Sequence, residues 1–199
     1  VLSAVTRVSG EIQPTNPALR GFVTGCEAKP ELCWYGIVPG ITTVEEASQI
    51  LLDKGFTERQ LGIEISGAGY KSFIPVDATL ACEFELYFFE HSIQQMALST
   101  CGKVRFGDLT GILGVPQQIT GLGIVLYKNA GLWVELPLVD RKRCVNLNPS
   151  STISSIRLLP QETIEQNYRF FQHEPKIDWK GLLTFSDYMR LYGLTCRAF

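Results

Sequence analysis

Cys33-Trp34-Tyr35-Gly36-Ile37-Val38-Pro39-Gly40-Ile41-Thr42-Thr43-Val44-Glu45-Glu46-Ala47 joins a cysteine placed for oxidation to a helix start that the sequence marks clearly. Thr43 and Glu46 have capping-box spacing: the threonine hydroxyl accepts from the Glu46 backbone N–H while the glutamate side chain reaches back to the N–H of Thr43. Downstream, Val44, Ala47, Ile50 and Leu51 recur at helical spacing, Glu45, Gln49 and Asp53 take the outer face, and Gly55 offers a stop. An amphipathic helix of this kind is expected to lie on a sheet.

Strands are expected next, at 61–65, 72–76, 82–89 and 93–98. In the third, Cys82, Phe84, Leu86 and Phe88 alternate with Glu83, Glu85, Tyr87 and Phe89, a period of two with one apolar and one mixed face. A sheet built this way is covered on one side. A second cycle opens near Val104. Phe106, Leu109, Ile112 and Leu113 repeat the spacing of the first helix, Gly114-Val115-Pro116 ends the run, and strands follow at 123–127, 132–136 and 152–158. The expected fold class is therefore α+β: antiparallel sheet with amphipathic helices on one face, in a tandem helix-then-strands repeat. Four segments divide the chain: an extended, proline-rich lead-in over 1–40, helix-plus-strands units over 41–102 and 103–160, and a helical segment over 161–199, with helices expected at 162–171 and 179–192.

With 199 residues and 45% hydrophobic content, the chain is long and apolar enough to bury a proper core. A formal charge of −2 leaves no basic footprint for phosphate backbones, and Arg141-Lys142-Arg143 is the only dense cationic run, so nucleic acid is excluded as a partner. Six cysteines with only two histidines, and no Cys-x-x-Cys, fit a disulfide framework better than a metal site. Cys26 and Cys33 flank a short loop. Cys82 and Cys101 fall opposite one another in a simple hairpin centred between His91 and Ser92, and Cys144 and Cys196 then pair by default. Fifteen connectivities exist for six cysteines, and the rival reading is six buried thiols in a cytosolic protein. Oxidation implies a location outside the cytoplasm, secreted, at the cell surface or membrane-anchored. Val1-Leu2-Ser3-Ala4-Val5 reads equally as the remnant of a signal, of a membrane anchor upstream of Val1, or as a plain strand.

The pattern Cys-aromatic-x-Gly-Ile-x-Pro-Gly-x-Thr-Thr-x-Glu-Glu-Ala at 33–47 resembles that of a group of uncharacterised bacterial proteins, secreted or membrane-anchored. In that group a Gly-Asp-aliphatic segment also ends in Gly-x-Pro, as Gly107-Asp108-Leu109 and Gly114-Val115-Pro116 do here. The repeated plan is similar to the SmpA/BamE and β-lactamase-inhibitor-protein superfamily, in which short helices precede antiparallel strands. These resemblances imply an α+β fold outside the cytoplasm and protein binding without chemistry. They transfer no individual functional residue.

No catalytic constellation emerges from the residues, and no cofactor is implied. His91 sits at a hairpin tip before Ser92, and His173 precedes Glu174 and Pro175; both read as turns. No Gly-x-Ser-x-Gly elbow is present. Gly67-Ala68-Gly69 and Gly121-Leu122-Gly123 are too short for a phosphate fingerprint. Glu83 and Glu85 share a strand face and would suit a glycosidic acid–base pair only with partners at the right separation; they read first as a solvated face. The stronger signal is aromatic. If Leu132, Val134 and Leu136 face the core, Trp133 faces away with Glu135, and Tyr87 and Phe89 share the face of Glu85. Tyr87, Phe89 and Trp133 are thus the candidate protein-binding face, unless terminal segments cover them. The expected function is a non-catalytic, extracytoplasmic module that binds a protein partner or self-assembles, in an envelope or surface assembly. The competing expectations are a secreted hydrolase and a small-ligand or lipid carrier, the latter needing an apolar cavity.

Overall fold

In the computed structural model the described residues are 17–27, 31–77, 82–99, 104–120, 123–127, 131–136, 148–160, 163, 176–182, 187 and 190. Their core element is one open antiparallel sheet of nine strands: β1 Phe56–Ile65, β2 Ala68–Pro75, β3 Glu83–Phe89, β4 Ser92–Ser99, β5 Gln118–Thr120, β6 Ile124–Tyr127, β7 Leu132–Glu135, β8 Ser155–Leu158 and β9 Lys176–Asp178. Among the described residues two α-helices accompany it as complete elements, α1 Val44–Asp53 and α2 Phe106–Leu113, so the fold is α+β with sheet predominating.

The spatial order is β1-β2-β3-β4-β8-β7-β6-β5-β9. Each helix precedes a four-strand meander, and the two meanders meet along their last strands, β4 against β8. Successive pairings carry one apolar row through eight strands: Phe73, Phe84, Leu98, Ile156, Val134, Val125, Ile119 and Ile177. All eight are buried, in one cluster with Val44, Ala47 and Leu51 of α1 and Phe106 and Leu109 of α2. Burying a side chain of this size contributes about 1.5–3 kcal/mol, which makes this row the main adhesive between the two meanders.

The helix ends are tied to the strands by the backbone. At α1, Val44 N donates to His91 O (2.8 Å) and Ile93 N to Thr42 O (3.2 Å), around a Thr43–Ser92 bridge. At α2, Phe106 N donates to Ser151 O (2.8 Å) and Ile153 N to Val104 O (2.9 Å), around an Arg105–Thr152 bridge. Thr43 caps α1 through the full capping box, as its spacing predicts.

Several expectations need correction. The lead-in is not simply extended: Pro17–Phe22 forms a short 3₁₀ helix whose Ala18, Leu19 and Phe22 are buried in the main cluster. The β3–β4 turn is Glu90-His91, both at positive φ (46° and 69°), and the register slips between Tyr87 and Phe88, leaving Gln94 extra. Glu83 therefore pairs with Ser99, one position off the simple register expected for this hairpin. Cys26 and Cys33 are bridged, with Cα atoms 5.8 Å apart, and Cys82 is also disulfide-bonded, to a cysteine outside the described residues. Cys101, Cys144 and Cys196 lie outside them too, as do the 141–143 run and His173. Lys176–Asp178 is a strand and Trp179 follows it without helical structure, its ring 5.6 Å from that of Phe106, so the helix expected over 179–192 does not begin at Trp179, while Asp187 and Arg190 within that range are helical. The helix expected at 162–171 falls outside the described residues except for 163.

Candidate functional site

The second face of the sheet carries the polar and aromatic residues. Strict alternation places one row along it: Arg59, Ser72, Glu85, Ala97, Arg157, Trp133, Leu126, Gln118 and Asp178, each paired with the next across neighbouring strands. A second row, nearer the hairpin tips, runs Tyr70, Tyr87 and Gln95, and a third runs Ile65, Ala68, Phe89 and Ser92. These residues share a face because directly opposed positions of an antiparallel pair project the same way.

Tyr87 and Phe89 thus stand beside Glu85, as the alternation predicts. Tyr70 joins them: its ring lies 6.0 Å from that of Tyr87 at an interplanar angle of 29°. The Tyr87 hydroxyl donates to Glu85 Oε2 at 3.0 Å. Burial first, then that hydrogen bond and the carboxylate's charge, hold the Tyr87 phenol above its usual pKa range, so it remains a donor. Ile65 and Phe89 are 68% and 46% exposed, which makes the tip of this face an uncovered apolar and aromatic strip. Two type I′-like turns support it, Ser66-Gly67 and Glu90-His91, with all four residues at positive φ, and Glu90 N donates to Gly67 O at 2.9 Å.

Trp133 lies on the same face in a different setting. It is 9% exposed and forms a second buried cluster with Ile124, Leu126 and Leu159. The Arg157 guanidinium carbon stands 5.8 Å from the ring centroid while its Nε meets Glu135 Oε1 at 3.0 Å. Strands β4 and β8 separate Trp133 from Tyr87. The three aromatics do not meet in one patch: Tyr87 and Phe89 are brought together, and Trp133 is apart from them.

Tyr70 lies before the strand expected at 72–76, and Ile65, at the end of the one expected at 61–65, has no assigned face there; β2 in fact starts at Ala68. The signal was available: Ser66-Gly67 is a complete two-residue turn, after which Ala68, Tyr70 and Ser72 alternate with Gly69, Lys71 and Phe73.

The carboxylates expected to serve as solvated groups are engaged. Glu83 Oε1 accepts from Ser72 Oγ (2.7 Å) and from Arg59 Nη1 (3.1 Å), while Glu85 holds Tyr87. His91 Nδ1 meets Glu45 Oε1 at 2.9 Å, a contact that, with hydrogen bonding first among its causes, draws the Glu45 carboxyl below its usual pKa range. Among the described residues no three His, Cys, Asp or Glu side chains are grouped to hold a metal ion, and no helix is long and apolar enough to cross a membrane. Compared with known proteins, the chain matches no family model, no curated protein and no solved structure.

Proposed function

We propose that this chain is a non-catalytic, cysteine-bridged module that works outside the reducing cytoplasm and binds a protein partner through Ile65, Tyr70, Tyr87 and Phe89, as a soluble component or a subunit of an envelope or surface assembly. The reading rests on a difference between two halves of one sheet face, which we read as corresponding parts of a repeated plan.

The two helix-plus-meander units are read here as copies of one plan related by a pseudo-dyad through the Ala97–Arg157 pair. Support comes from the bridges at the helix starts: Ser92 and Thr152 lie the same number of residues before Ala97 and Arg157, and each joins the residue preceding a helix. The flanking hydrogen bonds, Val44 to His91 and Phe106 to Ser151, correspond as well. On this mapping Ser72 is matched by Leu126, Glu85 by Trp133 and Tyr70 by Ile124. In the second unit those positions are apolar and buried; in the first they are polar or tyrosine, with an exposed phenylalanine and isoleucine beside them. The common plan does not require that difference. Tyrosine brings contact area with little loss of rotamer freedom, which suits association. The Cys26–Cys33 and Cys82 disulfides support an oxidising location.

Quantitative mass spectrometry of proteins captured from a native-source extract tests this, using immobilised wild type, a Tyr87→Ser/Phe89→Ser variant, and Val115→Ser as a control at an exposed site elsewhere. The expected outcome is at least one species captured by wild type and control and lost from the double variant. An unchanged set of captured proteins refutes the surface.

A further inference from the structure

We infer that the Tyr70–Tyr87–Glu85 cluster is a recognition site for a cationic side chain, a lysine or arginine presented by the partner beside an apolar residue; this deepens the protein-binding reading and rests on it. Among the described residues four carboxylates lie on this face, Glu83, Glu85, Glu135 and Asp178; two of them have an arginine, and Asp178, at the far end of the row, accepts from Gln118 Nε2 at 3.2 Å. Glu83 is paired with Arg59 at 3.1 Å and Glu135 with Arg157 at 3.0 Å. Glu85 has no cation among the described residues; its recorded partner is the neutral Tyr87 hydroxyl. Glu85 is therefore the carboxylate beside the aromatic pair that has no paired cation among the described residues.

That charge stands next to the one aromatic pair the face presents. Tyr70 and Tyr87 are opposed across β2 and β3, one pairing step from Ser72 and Glu85. A cation within about 6 Å of a tyrosine ring is attracted by the ring's quadrupole, and a carboxylate alongside adds a charge-assisted hydrogen bond. The Arg157 guanidinium, whose charge reaches Tyr87, is held by Glu135 and lies over the Trp133 ring. Beyond the tyrosines, Ile65, Ala68 and Phe89 continue the strip as an uncharged shelf. A cation beside an apolar group on the partner matches this order of carboxylate, rings and shelf.

The test titrates the full chain with Nα-acetyl-arginine methylamide and with tetramethylammonium chloride, following backbone amide shifts by two-dimensional NMR. Nα-acetyl-leucine methylamide and equal concentrations of sodium chloride serve as comparators. Both cations are expected to give saturable shifts centred on Tyr70, Ser72, Glu85 and Tyr87, with half-saturation at about 30–100 mM, the range that one such contact supports. Glu85→Gln and Tyr70→Leu each weaken binding by about fivefold or more, and Val115→Ser leaves it intact. Circular dichroism and thermal melts verify folding, and the two variants back one another. No saturable shift, equal shifts from the leucine probe or salt, or unchanged binding in both variants overturns the proposal. If the probes fail while Tyr87→Ser/Phe89→Ser still abolishes partner capture, the cation preference falls and the docking surface stands; unchanged capture removes the docking surface itself.

Discussion

Trp34 shows how much one side chain settles. It is fully buried, its indole N–H donates to the Ala18 carbonyl at 3.2 Å, and its ring stacks on Phe84 at 4.0 Å with Phe56 edge-on at 5.8 Å. It thereby pins the 3₁₀ helix to β1 and β3, beside the Cys26–Cys33 bridge. The 3₁₀ helix comes close because Gly21 has no side chain: a Cβ there would lie 2.2 Å from Trp34 Nε1. Gly21→Ala is thus expected to destabilise by about 1–3 kcal/mol, as overpacking does. The same substitution at Gly111, inside α2 with nothing within 4 Å of an added Cβ, is expected to stabilise by about 0.5–1 kcal/mol. Urea unfolding of the two variants measures both, and equal shifts would contradict the packing account. None of this was legible in the sequence, where Gly21 and Trp34 stand in a stretch read as extended.

At the scale of elements, the same sequence signals succeeded or failed according to how local their physics is. The start of α1 was readable because a capping box is complete within four residues: Thr43 Oγ1 accepts from Glu46 N at 3.2 Å and Glu46 Oε2 from Thr43 N at 3.1 Å. The long strand β3 was readable because alternation over one strand fixes its faces, whereas β6 and β7, four residues each and buried almost throughout, show no alternation and were readable as apolar runs bounded by turn residues. β5 and β9, three residues each, are too short to show a period, and the register slip between Tyr87 and Phe88 arises from one extra residue, Gln94. The helices also differ in a way that yields a prediction. Arg105, preceding α2, makes no side-chain cap; the first amides of α2 instead donate to the carbonyls of Ser151 and Pro149. Thr43→Ala is expected to cost about 1 kcal/mol and Arg105→Ala to stay within about 0.5 kcal/mol of wild type. Equal losses in denaturant midpoints at constant slope would show that backbone docking, not the side-chain cap, holds α1 as well.

For the whole molecule, the consequential feature is the seam between β4 and β8, which no local pattern announces. Alternation tells which face a residue takes and says nothing of which strand lies beside it, so the two meanders were legible and their junction was not. The seam is built from Leu98 against Ile156 and Met96 against Leu158, all buried, inside the apolar row that crosses eight strands. Because that row belongs to a single cluster holding residues of both helices, the two meanders share their main core, and the small cluster of Ile124, Leu126, Trp133 and Leu159 on the other face of the second is an addition to it. The two should therefore unfold as one cooperative unit. Leu98→Ala removes a fully buried side chain at the junction, at an expected cost of about 2–5 kcal/mol. If the core is shared, that loss appears equally on both sides: native-state hydrogen exchange should report the same drop in opening free energy for slow amides of β3 and of β7, since both report global opening. Loss of protection confined to β1–β4, with β6 and β7 unchanged, would mean that the halves open separately, and a binding event on the tyrosine face could not then stiffen the second unit.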